Sequence, residues 1–385
     1  MFHHLHYSFA GLLPHKLSPE VRELYWSSLL QNLALSMLLL FEPIYLWQQG
    51  LGVKGIILFF LAVYLVYLFI VPLGANFATR FGFEHSMALS TVWQVFYLIC
   101  LYLVAVNWWW LVPAALLYVL QKAFYWPAYH ADFAHYAVSE EEGREVSGLT
   151  VAASLVFVIG PILAGLILQF SSWAVLFIIA SGLILLSSWP LLKTPEKFEP
   201  RNFPYKDAFA RLLSRANRKL LLGYLGFGEE LILLTLWPVF MVVVLVNYVE
   251  IGAVAAVATL FTAMTTLYIG RLIDKNNKNR ILRLATWFYF TSWVARLFIK
   301  LPVHIFMADS WSRLSKNLIM VPITTITYER AQNNRAMDTV VFFEMSLVVG
   351  KILAALILLV VFSFTTSWSV VWGIAALMSL LYLKL

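Results

Sequence analysis

Nine ionisable residues stand inside otherwise apolar stretches of this chain: Lys122, Glu229, Glu230, Arg296, Asp309, Arg313, Lys316, Glu344 and Lys351. At membrane depth such a group costs at least about 2.5–3.5 kcal/mol on insertion scales, so each needs a partner or a task. A carboxylate in that setting can take up and release a proton, and a cation can hold an anionic or polar ligand. Glu229 and Glu230 are adjacent, so on a helix they point about 100° apart. One of them is expected to face a cavity, with Lys122 opposite; a purely structural role is the alternative. Gly226 and Gly228, just before them, give that helix a place to bend. Gln31 and Asn32 offer polar contacts to a solute from the first apolar stretch.

Residues 303–326 and 337–361 should form an antiparallel hairpin. In one register Asp309 stands level with Lys351 and Lys316 level with Glu344, and Arg296 lies near the depth of Asp309 across the turn at Pro302. These then read as buried ion pairs, which persist because each charge is compensated. Arg313 is left without an evident partner and becomes a candidate for ligand binding. Glu42, followed by Pro43, reads as an interfacial carboxylate beside a kink, with an outer gate as the alternative. His130 and Asp132 read as interfacial, and His3, His4 and His6 as part of an unstructured terminus rather than a metal tract. No zinc motif, phosphate-binding glycine loop or nucleophile elbow is present. Neither cofactor nor metal is expected, and a membrane-embedded enzyme lacks its constellation.

The elements that must position these residues are membrane spans. Hydrophobic residues make up 62% of the 385 and charged residues 12%, against about half and about a quarter in soluble domains. Runs long enough to cross the hydrocarbon, about 20 residues each, fall at 24–47, 53–76, 84–105, 108–130, 147–169, 172–193, 219–247, 250–270, 280–300, 303–326, 337–361 and 366–384. The expected fold is therefore all-α, with twelve transmembrane helices. Residues 1–23 form a cytoplasmic N-terminal segment, with Ser18-Pro19-Glu20 starting a helix. Residues 194–218, basic and proline-containing, link a six-helix half at 24–193 to a second at 219–385.

Lys and Arg set the orientation. Arg80, Arg144, the run from Lys193 to Lys219, Arg271, Lys275, Lys278, Arg280, Arg283, Arg330 and Arg335 fall on one side, and Lys54 and Lys300 on the other. The positive-inside rule then places both termini in the cytoplasm. Trp47, Trp108, Trp109, Trp110, Trp173 and Trp368 gather at the expected outer ends. The net charge of +7 is thus topological rather than a nucleic-acid footprint. Cys100 is the lone cysteine and excludes an internal disulfide. No cleavable signal peptide is expected.

Gly270-Arg271-Leu272-Ile273-Asp274-Lys275-Asn276-Asn277-Lys278 follows the eighth run. It resembles the loop signature of the major facilitator superfamily, with Asn277 where a second glycine is usual. Ala75-Asn76-Phe77-Ala78-Thr79-Arg80-Phe81-Gly82, after the second run, keeps the Arg-Phe-Gly end but has Thr79 in the aspartate position. Two copies at corresponding places form an internal repeat, as transporter folds commonly show. The resemblance implies a cytoplasmic gate at Arg80, Gly82, Gly270, Arg271, Asp274 and Lys275.

Gly160-Pro161-Ile162-Leu163-Ala164-Gly165 is similar to the glycine-proline signature of the exporter branch, with Gly160, Pro161 and Gly165 bending and packing the helix. Phe124-Tyr125-Trp126-Pro127-Ala128 ahead of Glu140-Glu141-Glu142-Gly143-Arg144 also looks like that superfamily. The fourth run lacks the arginine that proton-driven drug exporters often carry, and Lys122 is the only cation there, which counts against drug–proton antiport.

What the resemblance implies is a secondary transporter. It would act as a monomer in the plasma membrane and move a small organic solute by alternating access, with proton-coupled export as the leading form. Spans 1, 4, 7 and 10 would line the cavity. An uptake permease of the same fold and a non-transporting sensor or scaffold are the alternatives.

Overall fold

The computed structural model describes residues 19–136, 140–193, 196, 199–245, 247–273, 278–333 and 336–385; side chains are outside the description at 19–21, 133–154, 266–279, 325, 328–329 and 331–335. His3, His4, His6, Asp274 and Lys275 lie outside the described residues, as do the side chains of Gly270, Arg271 and Arg144. Among the described residues the chain is helical and has no strand.

The helices before the central link are α1 (Pro19–Leu38), α2 (Glu42–Gln48), α3 (Gly52–Phe81), α4 (Phe83–Leu103), α5 (Leu111–Tyr136), α6 (Glu140–Phe170) and α7 (Trp173–Leu191). A short α8 (Tyr205–Leu213) lies in the link. After it come α9 (Arg218–Tyr224), α10 (Gly228–Leu231), α11 (Trp237–Val244), α12 (Tyr248–Ile273), α13 (Lys278–Ala295), α14 (Pro302–Asn333), α15 (Ala336–Val361) and α16 (Trp368–Ser379).

Seven helical stretches among the described residues are long and apolar enough to cross a membrane, and Leu155–Phe170 and Trp368–Lys384 are apolar but shorter. The helices that fall short have a reason. α14 carries Asp309, Arg313 and Lys316, and α5 is rich in tyrosine and tryptophan. Large apolar side chains such as Phe170, Ile178, Trp189 and Phe364 point outward, while Glu229, Asp309, Arg296 and Lys351 are buried. That inversion of a soluble protein's plan is what lipid as solvent demands.

Two spans expected as continuous helices are broken. α1 ends at Leu38, and α2 restarts with Pro43 in its first turn, where a missing N–H costs nothing. Between α9 and α11 the backbone tightens into a 3₁₀ turn at Leu225–Phe227, returns to α-helix at α10, and widens into a π turn at Ile232–Leu236. Pro238, in the first turn of α11, removes one i→i−4 bond there. The glycines ahead of Glu229 do more than permit a bend. A Cβ on Gly228 would fall 2.4 Å from the Gly350 carbonyl oxygen, so bare backbone is what lets α10 lie against α15.

Helices from the two sides of the link pack on each other at two main seams, α6 against α12 and α3 against α15. The first is a small-residue crossing. A Cβ on Gly165 would meet the Tyr248 carbonyl at 2.6 Å, and one on Gly252 would meet the Pro161 carbonyl at 2.2 Å. Gly160 instead faces α1, at Ser36, whose hydroxyl donates to the Leu33 and Val156 carbonyls at 2.8 and 3.1 Å. Gln48 bridges the two sets of helices, hydrogen-bonding the Tyr248 hydroxyl and accepting from Trp173 Nε1 at 3.1 Å.

Candidate functional site

A cavity of about 330 Å³ lies between the two sets of helices. α2, α3 and α5 contribute Glu42, Tyr64, Tyr67, Lys122 and His130; α10, α14 and α15 contribute Glu230, Thr324, Thr327, Glu344 and Lys351. The rings of Phe60, Tyr118, Trp126, Phe227 and Phe343 form much of the wall. The volume suits a small molecule.

Two lysines and two glutamates form an open alternating chain, of which Glu230 and Lys351 reach the cavity wall. Lys316 Nζ lies 2.5 Å from Glu229 Oε1 and 3.2 Å from Glu230 Oε1. Lys351 Nζ lies 3.0 Å from Glu230 Oε2. Glu229 is fully buried and also accepts hydrogen bonds from Tyr289 and Tyr382, at 2.5 and 3.0 Å. Adjacent glutamates thus share one ammonium. Their Cα–Cβ bonds diverge, but two flexible methylenes let the carboxylates converge on a lysine from another helix, α14. Of the two, Glu230 reaches the cavity and Glu229 sits behind it.

The pairings expected within the α14–α15 hairpin are corrected by this geometry. Lys316 and Lys351 turn to the glutamates of α10 rather than to Glu344 and Asp309. Equal depth fixes height but not rotation, and the broken α9–α11 segment packs against α15 in the place the hairpin argument left empty. Glu344 accepts from the Tyr67 hydroxyl at 2.8 Å, and His130 Nε2 lies 3.6 Å from it. Asp309 accepts from Trp237 Nε1 at 3.0 Å and from Arg313 Nε at 2.7 Å. Arg313 therefore has a partner one turn away and does not line the cavity. Arg296 is buried, its guanidinium 4.3 and 4.0 Å from the ring centroids of Trp237 and Trp293.

Gln31 does not line the cavity either. It donates to Gln94 at 2.7 Å and accepts from Ser187 at 3.1 Å, tying α1 to α4 and α7. Asn32 is half-buried and outside the lining. Lys122 does line it, with Nζ 5.0 Å from the Tyr118 ring centroid. Glu42 and His130, read from the sequence as interfacial, both line the cavity. Tyr64, Tyr67, Tyr289 and Tyr382 are polar partners of the site that the sequence pattern did not single out. Their signal was available: a phenol well inside an apolar run, away from the interface where such rings usually settle, needs a hydrogen-bond partner.

At the loop after α3, Gly82 has φ +106°, and the Glu196 carboxylate accepts from the backbone N–H groups of Phe83 and Glu84 at 2.6 and 3.1 Å. Arg80 is exposed, 5.3 Å from the Phe81 ring centroid. The link continues along the same surface: Arg201 N–H donates to the Thr79 carbonyl at 3.0 Å and Phe203 N–H to Asn76 Oδ1 at 2.8 Å. α8 then reaches the other set of helices, with Arg211 2.7 Å from Asp338 at the start of α15.

The family model of the Major Facilitator Superfamily matches residues 24–311. The chain belongs to the Major Facilitator Superfamily. This superfamily transporter also shares its fold with a solved nucleoside transporter, a variant of NupG. The two superpose with a TM-score of 0.66 at 12% identity, covering 94% of this chain and 98% of that one. Identity that low carries the fold and nothing finer. Comparison with curated protein sequences gives no match. The transporter is thus an integral, multi-pass membrane protein of a family that handles small-molecule substrates.

Proposed function

We propose that this protein is a secondary transporter that moves a small organic solute by alternating access, with the helices before and after α8 rocking as two halves. The observation that carries the reading is the cavity itself: charged and aromatic side chains from both sets of helices meet in a space sized for one small molecule. The seam at α6–α12, where Gly165 and Gly252 bring backbone against backbone, suits surfaces that must slide or hinge. The full topology that goes with this reading has twelve spans, both termini in the cytoplasm, and units at 24–193 and 219–385 joined by 194–218. Discontinuous helices beside the site, here α1–α2 and α9–α11, are a recurring way to line a transport path.

Proton coupling is part of the proposal, with Glu230 as the carboxylate of its pair that reaches the cavity and export as the direction. The loops around Arg80 and Arg271 would serve as the cytoplasmic gate, and the plasma membrane as the site of action. The test is flux in proteoliposomes under an imposed pH gradient. Solute movement that needs the protein and follows the gradient supports the reading. Unchanged proton-dependent flux in both Glu229→Gln and Glu230→Gln removes this pair from the coupling step.

A further inference from the structure

We propose that the cavity takes a small organic cation, an amine or quaternary ammonium on an apolar body, anchored by the carboxylates of Glu42 and Glu344. The assignment rests on the transport reading for the purpose of the site, and on the balance of charge for the class of solute.

Glu229, Lys316, Glu230 and Lys351 neutralise one another in an unbroken chain. What remains on the cavity wall is two carboxylates, Glu42 and Glu344, one ammonium, Lys122, and the imidazole of His130, which is taken as neutral in this balance. Lys122 has no carboxylate within the 4.0 Å ion-pair limit among the described residues. A monovalent cation makes this remainder neutral; an anion deepens its excess of negative charge. In a low-dielectric site that difference dominates selectivity.

Each carboxylate also has capacity to spare. Glu42 is nine-tenths buried, with the Tyr97 hydroxyl beside its carboxylate and no hydrogen bond to its Oε1 within 3.5 Å among the described residues. Glu344 is held by a phenol and an imidazole rather than by a lysine. The wall already accommodates cations on ring faces. Lys122 and Lys351 lie 5.0 and 5.4 Å from the centroids of Tyr118 and Tyr64. Aromatic faces beside carboxylates are the usual chemistry for recognising substituted ammonium groups.

A proton and the solute cation would compete for the same oxygens, so acidification should expel the solute. The groups that face Glu344 are Tyr64 and Tyr67 from α3, Lys122 and His130 from α5, Glu230 from α10, and Lys351 on its own helix. Those facing Glu42 are Tyr64 from α3, Tyr97 from α4, and Tyr118 and Lys122 from α5.

The experiment is equilibrium binding of four radiolabelled probes to the purified full-length protein in detergent. The probes are benzyltrimethylammonium, phenylacetate, phenylalanine and uridine: cation, anion, zwitterion and neutral nucleoside. Saturable binding is expected for the cation, weakened about tenfold or more by Glu42→Gln and by Glu344→Gln, and tightened by Lys122→Met. Tighter binding of any other probe overturns the assignment, as does failure of the cation to bind, or cation affinity unchanged in both glutamine variants. If those variants do not fold, the wild-type protein decides, since cation binding that does not weaken between neutral and acidic pH overturns it equally. Flux separates the two levels of the argument. A cation bound with this signature but not moved in proteoliposomes sinks the transport reading alone, and movement of a different solute class sinks the cation assignment alone.

Discussion

Lys316 Nζ lies 2.5 Å from Glu229 Oε1, a contact between residues 87 apart in sequence. Both groups are buried. Breaking a buried pair from one side costs about 3–5 kcal/mol, because the surviving charge is stranded. Lys316→Met should therefore lower the melting temperature in detergent sharply, while Lys316→Met with Glu229→Gln should recover much of the loss. Equal losses in the single and double variants would mean that the lysine matters for packing and not for charge.

The pairing of Lys351 with Glu230 gives a sharper test of register. Glu230→Lys combined with Lys351→Glu should restore the yield of folded protein lost by either change alone. The corresponding swap of Asp309 and Lys351 should not, since Asp309 is already satisfied by Arg313 and Trp237. Size-exclusion profiles of the five variants, three single and two double, decide this. Rescue by the second swap would contradict the geometry described here.

Gly82 has a left-handed φ of +106°, and a Cβ there would fall 2.1 Å from Glu196 Oε2. Gly82→Ala should cost about 1 kcal/mol or more from backbone strain. It should also displace Glu196 from the first turn of α4, a cap whose loss costs about 0.5–2 kcal/mol. Glu196→Gln keeps an acceptor and should cost less. A thermal shift in which the glutamine variant is the worse of the two would show that charge, not fit, governs this contact.

Gln48, Trp173 and Tyr248 link the two sets of helices at one end of the molecule. Cysteines at 48 and 248, in a background with Cys100→Ala, should be joined by a short bifunctional thiol reagent. Under alternating access, that link stops flux and leaves solute binding intact. Undiminished flux in the cross-linked protein would exclude rocking at this end.

Much of the architecture was legible in the sequence because lipid leaves so few options. A chain with 62% hydrophobic residues must satisfy its backbone within helices, and that constraint is local. The helices of the structure fall where the apolar runs lie, and the Gly-Arg-Leu-x-Asp loop carried the resemblance that the family match bears out. Breaks in α1–α2 and α9–α11 were signalled only in part, by Pro43, Gly226 and Gly228. The π turn before Trp237 depends on packing as well as on Pro238.

The sequence by itself determined that buried charges exist, which residues carry them, and that several must compensate one another. Only the tertiary structure decided who meets whom. Equal depth put Lys316 beside Glu344 and Lys351 beside Asp309, but depth leaves helix rotation free, and a rotation of 100° per residue turns a side chain from one neighbour to another. The same freedom hid Glu42 and His130, which look interfacial in one dimension and line the cavity in three. Lys316 could find Glu229 only once α10, α14 and α16 had packed together, with Tyr382 completing the contact. Local hydrophobicity fixes where a helix lies along the chain, whereas the partners of its charges are set by packing among helices distant in sequence.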